Sequence, residues 1–195
     1  MRRHILFSVP VAAGLILGNV TGSAHVEGAP STGAAIDVPN AEMKAIFDAD
    51  QNDRTGKPID WSVVAPKDDR RRARTRQLLA DGALKTAEDY WEAAFVFQHG
   101  EATDDFLEAH VLAKVAVAKG KQDALWISAA TLDRYLMRIG QKQVLGTQYN
   151  RPENGKPWTQ EPYDRALISD ALRRELGVET QAVQADNLKR MQDGK

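Results

Sequence analysis

The chain has 195 residues, of which 43% are hydrophobic and 27% are charged. This size and composition are typical of one globular domain with a hydrophobic core. The sequence contains no cysteine, which excludes disulfides, thiolate metal sites and cysteine nucleophiles. Because 26 basic and 27 acidic residues nearly balance, no net charge attracts nucleic acid or an anionic membrane, and we expect neither as a partner.

The N-terminal residues 1–24 are typical of a secretory signal peptide. Arg2 and Arg3 precede an apolar stretch that ends at Val20, and small residues occupy the −3 and −1 positions of a signal-peptidase site that ends at Ala24. The alternative is an uncleaved membrane anchor, but glycines interrupt the stretch, which is short for a spanning helix. We therefore predict an exported protein, periplasmic or secreted, and cleavage would leave a mature chain of net charge −3 because it removes two arginines.

The rest of the chain predicts an all-α helical bundle of about six helices. A flexible leader over residues 25–39 is rich in Gly, Ala, Ser and Pro. In the helical domain that follows, residues 40–177, a capping Asn or Thr is repeatedly followed by apolar residues at spacings of three and four and then by glycine. The predicted helices follow the caps Asn40, Thr86 and Thr103, run over about 66–81, 122–139 and 163–176, and precede a weakly helical tail over 178–195.

Residues 140–162 lie between the last two of these helices and predict one long irregular loop. The stretch contains three prolines and two further glycines after Gly140. Loops of this length in a compact domain are often binding loops or lids. The connections around Gly100 and Gly120 are short, which predicts antiparallel helical hairpins. No segment predicts a sheet.

Two ionisable side chains fall on apolar helix faces. The helical rotation of 100° per residue places His110 in the centre of one apolar face and Asp133 within the apolar arc of the next helix. A buried carboxylate is costly unless it is paired, and the two helices are predicted neighbours. We therefore expect a contact between His110 and Asp133, either as a structural hydrogen bond or as a catalytic dyad with His110 as general base.

Three more residues are candidates near that cluster. Asp50 and Arg54 continue the apolar stripe of the first helix, and their i, i+4 spacing predicts an ion pair. His99 lies at the end of the third helix, where the helix dipole favours a positive imidazolium. We expect His99 to be partly exposed, at the mouth of any site.

Two other sequence patterns are weaker evidence for a binding site. Residues 48–52 match the start of a calcium loop, but Asp53 occupies the position that requires glycine. We predict no metal and no cofactor. The basic run over 70–76 is more typical of a solvated helix face, with an ion pair between Asp68 and Arg72, than of a phosphate-binding surface.

Five short elements together resemble those of an uncharacterised bacterial family. The elements are Asp50-Gln51-Asn52-Asp53-Arg54, Gln98-His99-Gly100, Ala109-His110, Asp133-Arg134 and Gly146-Thr147-Gln148. In this order, over roughly residues 42–180, the chain resembles the domain-of-unknown-function family six-six-two-four. The resemblance implies no reaction and no catalytic residue. It adds Gln148, in the long loop, to the positions at which a site is expected.

We expect an exported domain that binds a small polar molecule or a peptide at a polar cluster shaped by the long loop. The cluster contains Asp50, Arg54, His110 and Asp133 and is flanked by His99 and Gln148. One alternative is a hydrolase-like enzyme in which Asp133 orients His110 and Arg54 stabilises developing negative charge. The other is a helical-hairpin scaffold for protein interactions in which the internal charges are only structural. The sequence does not determine the oligomeric state.

Overall fold

A computed structural model describes residues 37–55, 58–152 and 155–194. These residues form seven α-helices without a strand, which confirms the predicted all-α fold. The helices are α1 (Ala41–Asn52), α2 (Trp61–Ala80), α3 (Ala87–Phe97), α4 (Thr103–Ala118), α5 (Ala124–Arg138), α6 (Asp170–Glu175) and α7 (Gln181–Gln192). No helix within the described ranges is long and apolar enough to cross a membrane. The predicted signal peptide lies outside the described residues.

Two predicted helix starts are confirmed by their capping hydrogen bonds. The Asn40 side chain accepts a hydrogen bond from the backbone N–H of Met43 at 2.9 Å. At the start of α3 the Asp89 N–H donates to Thr86 Oγ1 at 3.1 Å, and the Asp89 carboxylate accepts from the Thr86 N–H at 2.8 Å. These reciprocal bonds form a capping box, which satisfies N–H groups that the helix leaves unpaired.

Two other helix starts differ from the prediction. α2 begins at Trp61, five residues before Pro66, because the Asp60 side chain caps it by accepting from the N–H of Ser62. The predicted cap Thr103 is wrong, since this residue is already the first of α4. The Asp105 carboxylate instead accepts from the backbone N–H that precedes Thr103, at 3.1 Å.

The C-terminal third also differs from the prediction. The helix predicted over 163–176 is wrong in length, because Ser169 caps α6 and only Asp170–Glu175 is helical. The predicted tail contains α7, which has 12 residues. The long loop is irregular as predicted, with isolated bridges from Gln143 to Tyr163 and from Asn150 to Thr159.

The core lies between α3, α4 and α5, where small residues let the helices approach closely. Ala93 and Ala94 of α3 and Ala109, Ala113 and Ala116 of α4 are buried. The fully buried large apolar side chains in this core are Val96 and Phe97 of α3, Ile127 of α5 and Met43, which α1 contributes. Burying a large aliphatic or aromatic side chain contributes about 1.5–3 kcal/mol. These helices therefore form the stable frame on which α1 and the long loop are placed.

α1 lies alongside α3 and runs in the same direction. The backbone N–H of Asn40 donates to Asp89 at the start of α3, and Asp50 near the end of α1 contacts His99 just beyond α3. Between these contacts the ring of Phe47 packs on Trp91, with centroids 5.1 Å apart. The parallel packing of α1 on α3 thus brings together two parts of the chain that are 49 residues apart.

Candidate functional site

The candidate site is a carboxylate and imidazole pair at the joint end of α1 and α3. His99 Nδ1 lies 3.0 Å from Asp50 Oδ2 and 3.2 Å from Asp50 Oδ1. Asp50 is fully buried, as predicted, and the His99 side chain is 19% exposed, which agrees with its predicted partial exposure. A carboxylate only accepts hydrogen bonds, so Nδ1 carries the proton. In the neutral ring Nε2 is therefore an unprotonated acceptor.

The contacts of Asp50 with the imidazole involve Nδ1 and not Nε2. The His99 side chain is 19% exposed, and Oε2 of Glu92 is the one sealed side-chain nitrogen or oxygen without a partner among the described residues. We infer from this exposure that solvent reaches Nε2. The pair combines a buried orienting carboxylate with an accessible acceptor nitrogen, which is the arrangement that a general base or a ligand-binding histidine needs.

Arg54 holds the buried carboxylate in place. Its Nη1 donates to Asp50 Oδ1 at 3.0 Å, so the predicted i, i+4 ion pair is confirmed. Its Nη2 donates to Asp68 of α2 at 2.5 Å. The side-chain amide of Gln51 donates to Asp50 Oδ2 at 2.8 Å. Asp50 thus has donors on both oxygens and a fixed orientation toward His99.

The protonation state of His99 follows from opposing contributions. Burial lowers the pKa of His99, and the charges of Arg54 and Arg134 lower it further, while Asp50 acts in the opposite direction. The net pKa lies below the usual 6.5, so the ring is neutral at pH 7. A depressed histidine pKa contributes stability at pH above 6.5, and this stability is lost as the pH falls through the folded-state pKa.

Arg134 of α5 connects the site with the long loop. Its Nε donates to Gln148 Oε1 at 2.9 Å, and its Nη1 donates to the carbonyl of Gln98 at 2.7 Å. Burial lowers the pKa of Arg134 to about 10, with a contribution from Arg54, so the side chain stays charged at neutral pH. Sequence reasoning placed Gln148 near the site but missed Arg134 as a member of it. The sequence feature that could have identified Arg134 is its place in the Asp133-Arg134 element.

The predicted contact between His110 and Asp133 is wrong. His110 is half-buried, and its Nδ1 donates to the carbonyl of Ser128 at 2.8 Å. Asp133 lies five residues further along α5, which corresponds to a rotation of about 140° and places it on another side of the helix. Both residues point inward, but they face different neighbours. A His110–Asp133 dyad is therefore not formed, and neither residue hydrogen-bonds to the Asp50–His99 pair.

Asp133 anchors the long loop. The carboxylate is fully buried, and its Oδ1 accepts from the N–H groups of Val144 and Leu145 at 2.8 and 3.0 Å. Its Oδ2 accepts from the N–H and the hydroxyl of Thr147 at 3.0 and 2.8 Å. These bonds fix the backbone immediately before Gln148. Asp133 therefore positions the glutamine that contacts Arg134.

Further hydrogen bonds to the long loop come from the loop itself and from the C-terminal helices. Gln143 closes the loop with its own side chain, which donates to the carbonyl of Gln148 at 2.9 Å and accepts from its N–H at 3.0 Å. Arg173 of α6 and Gln184 of α7 are both buried and donate to the carbonyl of Leu145. α6 and α7 thus hold the loop that carries Gln148.

The basic run of α2 is partly buried in ion pairs rather than uniformly solvated. The predicted pair of Asp68 with Arg72 is wrong, because Asp68 pairs with Arg71 at 2.8 Å and Arg72 pairs with Asp69 at 2.5 Å. Arg72 also donates to the carbonyl of His99 at 3.0 Å. The run therefore supports the backbone of the candidate site.

Comparisons of the chain with models of protein families, with curated proteins and with solved structures gave no match. The resemblance to the family six-six-two-four stays a prediction. In the part of the chain that the structure describes, no three histidine or carboxylate side chains converge in a way that could hold a metal ion.

Proposed function

We propose that the domain binds a small polar molecule at Nε2 of His99. The observation that carries the proposal is the hydrogen bond from His99 Nδ1 to the buried carboxylate of Asp50, which leaves Nε2 as an oriented acceptor. The molecule would be a hydroxyl or amine compound, because such groups donate the hydrogen bond that Nε2 accepts. The signal-peptide pattern of residues 1–24 supports the further proposal that this binding occurs outside the cytoplasm.

Preorganisation around the histidine supports this proposal. Asp50 is fixed by Arg54, and the carbonyl of His99 is fixed by Arg72. On the other side Arg134 is fixed by Gln148. A side chain that is already ordered loses little conformational entropy when a ligand binds, which favours affinity.

A second candidate function is general-base catalysis by the same histidine. The lowered pKa keeps His99 unprotonated at neutral pH, and Asp50 would stabilise the imidazolium that forms when Nε2 takes a proton from a bound water or hydroxyl. Arg54 lies beside the carboxylate and would balance negative charge. In this version of the hydrolase hypothesis His99 and Asp50 take the roles first expected for His110 and Asp133.

The binding proposal is tested by nitrogen NMR of histidine side chains in the full chain. At pH 7 we expect His99 to carry its proton on Nδ1. Addition of glycerol or glycinamide, which have hydrogen-bond donors, should shift the Nε2 resonance of His99, whereas acetate, which only accepts, should not shift it. His110 is the internal control, because its Nδ1 is also protonated but lies outside the site.

Two variants complete the test. His99→Gln removes the acceptor nitrogen and should abolish binding measured by calorimetry, while His110→Gln should leave it unchanged. A proton on Nε2 at pH 7, or an Nε2 resonance that neither glycerol nor glycinamide shifts, would contradict the binding proposal. Faster hydrolysis of p-nitrophenyl acetate by the wild type than by His99→Gln would favour the general-base function.

A further inference from the structure

Three carboxyl groups are buried along the packing of α1 on α3, and two of them are compensated. Asp89 accepts hydrogen bonds from three backbone N–H groups, and Asp50 is bound by Arg54 and His99. The third, Glu92, lies between them on α3. It is only 3% exposed, yet its Oε2 has no hydrogen-bond partner. A buried polar group without a partner is costly, and more so when it is charged.

The charges around Glu92 are mostly negative. The charged side chains that act on Glu92 are Glu88 and Asp89 on α3 and Asp48 and Lys44 on α1. Lys44 is the one cation in this set, and it donates to both carboxylate oxygens of Asp48 at 2.7 and 2.9 Å. Its positive charge is therefore shared with another acid, and the surroundings of Glu92 oppose its ionisation.

A second lysine nearby also has an acid partner. Lys121, on the turn between α4 and α5, lies 2.8 Å from Glu88. Burial and then Glu88 raise the pKa of Glu92 to about 7. The carboxyl is therefore protonated in mildly acidic solution and ionised in alkaline solution.

We propose that Glu92 makes the packing of α1 on α3 sensitive to pH, so that ionisation of this carboxyl loosens α1 from α3. This loosening requires no ligand. Its consequence for the candidate site is direct, because α1 carries Asp50 and α3 leads into His99. Loosening of α1 separates the orienting carboxylate from the imidazole. The fold thus contains a device that weakens the Asp50–His99 pair at alkaline pH.

The direction follows from linkage. An acid with a pKa raised above its unfolded value binds its proton more tightly in the folded state, so its contribution is largest at low pH and is lost as the pH rises from 4.5 through about 7. These two pKa values of Glu92 correspond to an increase of about thirtyfold in the equilibrium constant for opening between about pH 5.5 and 8.5.

Amide hydrogen exchange of the full chain tests the proposal. Protection factors corrected for intrinsic exchange are measured for α1 and for α5 at the two pH values. Between about pH 5.5 and 8.5 we expect the protection of α1 to fall about thirtyfold more in the wild type than in Glu92→Gln, which removes the charge at nearly constant volume. The contribution of His99 is common to both proteins and cancels from this comparison. α1 should also be less protected than α5 at both pH values, because α1 opens locally whereas α5 exchanges through unfolding of the whole domain, which exposes Glu92 as well.

Glu108→Gln is the matched control, because Glu108 is also partly buried but is paired with Arg76. This variant should keep the pH response of α1. An equal response of α1 in the wild type and in Glu92→Gln overturns the proposal. Protection of α1 equal to that of α5 at both pH values also overturns it, since α1 would then open only with the whole domain. If Glu92→Gln does not fold, the wild-type Glu92 carboxyl is titrated by carbon NMR. A titration midpoint below about pH 5.5 then overturns the proposal.

Discussion

Replacement of Asp133 by asparagine separates a structural role of this residue from the catalytic role first expected of it. The carboxylate receives four hydrogen bonds from the long loop, two on each oxygen. The asparagine amide has the same shape but keeps only one acceptor oxygen. Its Nδ2 must face a pair of donors. The less costly orientation directs Nδ2 toward Thr147, because the hydroxyl of Thr147 can rotate and accept a hydrogen bond.

The expected loss of stability follows from these contacts. Hydrogen bonds to charged groups contribute about 1.5–3 kcal/mol each, and a buried donor left without a partner costs about 1–3 kcal/mol. The variant loses the charge on all four contacts and leaves the N–H of Thr147 without an acceptor. Rotation of the hydroxyl offsets part of this loss. We therefore expect Asp133→Asn to lower the free energy of unfolding by about 2–4 kcal/mol, a large part of the 5–15 kcal/mol typical of a domain.

Urea unfolding followed by circular dichroism measures this change. With a slope of about 2 kcal/mol per molar urea, the midpoint should fall by about 1–2 M. Asp186→Asn is the control, because Asp186 is exposed on α7 and its replacement should change stability by less than about 0.5 kcal/mol. If Asp133→Asn is as stable as this control, the loop does not depend on the buried carboxylate and our reasoning about it is wrong.

Two further predictions concern the site and its frame. Asp50→Asn removes the charge that raises the pKa of His99, so an NMR titration should show a lower midpoint than in the wild type, and an unchanged or higher midpoint would contradict the electrostatic account. Gly100→Ala places a Cβ 2.3 Å from the Cβ of Asp105, so urea unfolding should show a loss of about 1–3 kcal/mol from overpacking. If the free energy of unfolding of Gly100→Ala is close to that of the wild type, the loop after α3 moves without cost.

Features that depend on neighbouring residues in the sequence were predicted well. The Asn40 and Thr86 caps are confirmed, because capping bonds reach only two or three residues along the chain. The ion pair of Asp50 with Arg54 is confirmed for the same reason, since the two residues are one helical turn apart. The short α6 was overestimated, because a helical pattern does not show whether other elements will support the helix.

The composition of the candidate site was only partly predictable. Helical periodicity identified Asp50 and Asp133 as inward-facing, and both are fully buried. Periodicity gives the direction of a side chain relative to its own helix axis but not the neighbour that it meets. The same pattern therefore paired Asp133 with His110, whereas the structure pairs Asp133 with the backbone of the loop.

The sequence by itself determined the helical class, most of the helix limits and the inward direction of the buried carboxylates. These properties depend on periodicity, caps and glycine stops, which act over a few residues. Only the tertiary structure decided that Asp50 meets His99, a residue 49 positions away, and that Arg134 and Gln148 lie together beside them. That choice depends on how α1 docks on α3 and how the long loop folds back on α5, and packing of distant surfaces sets both.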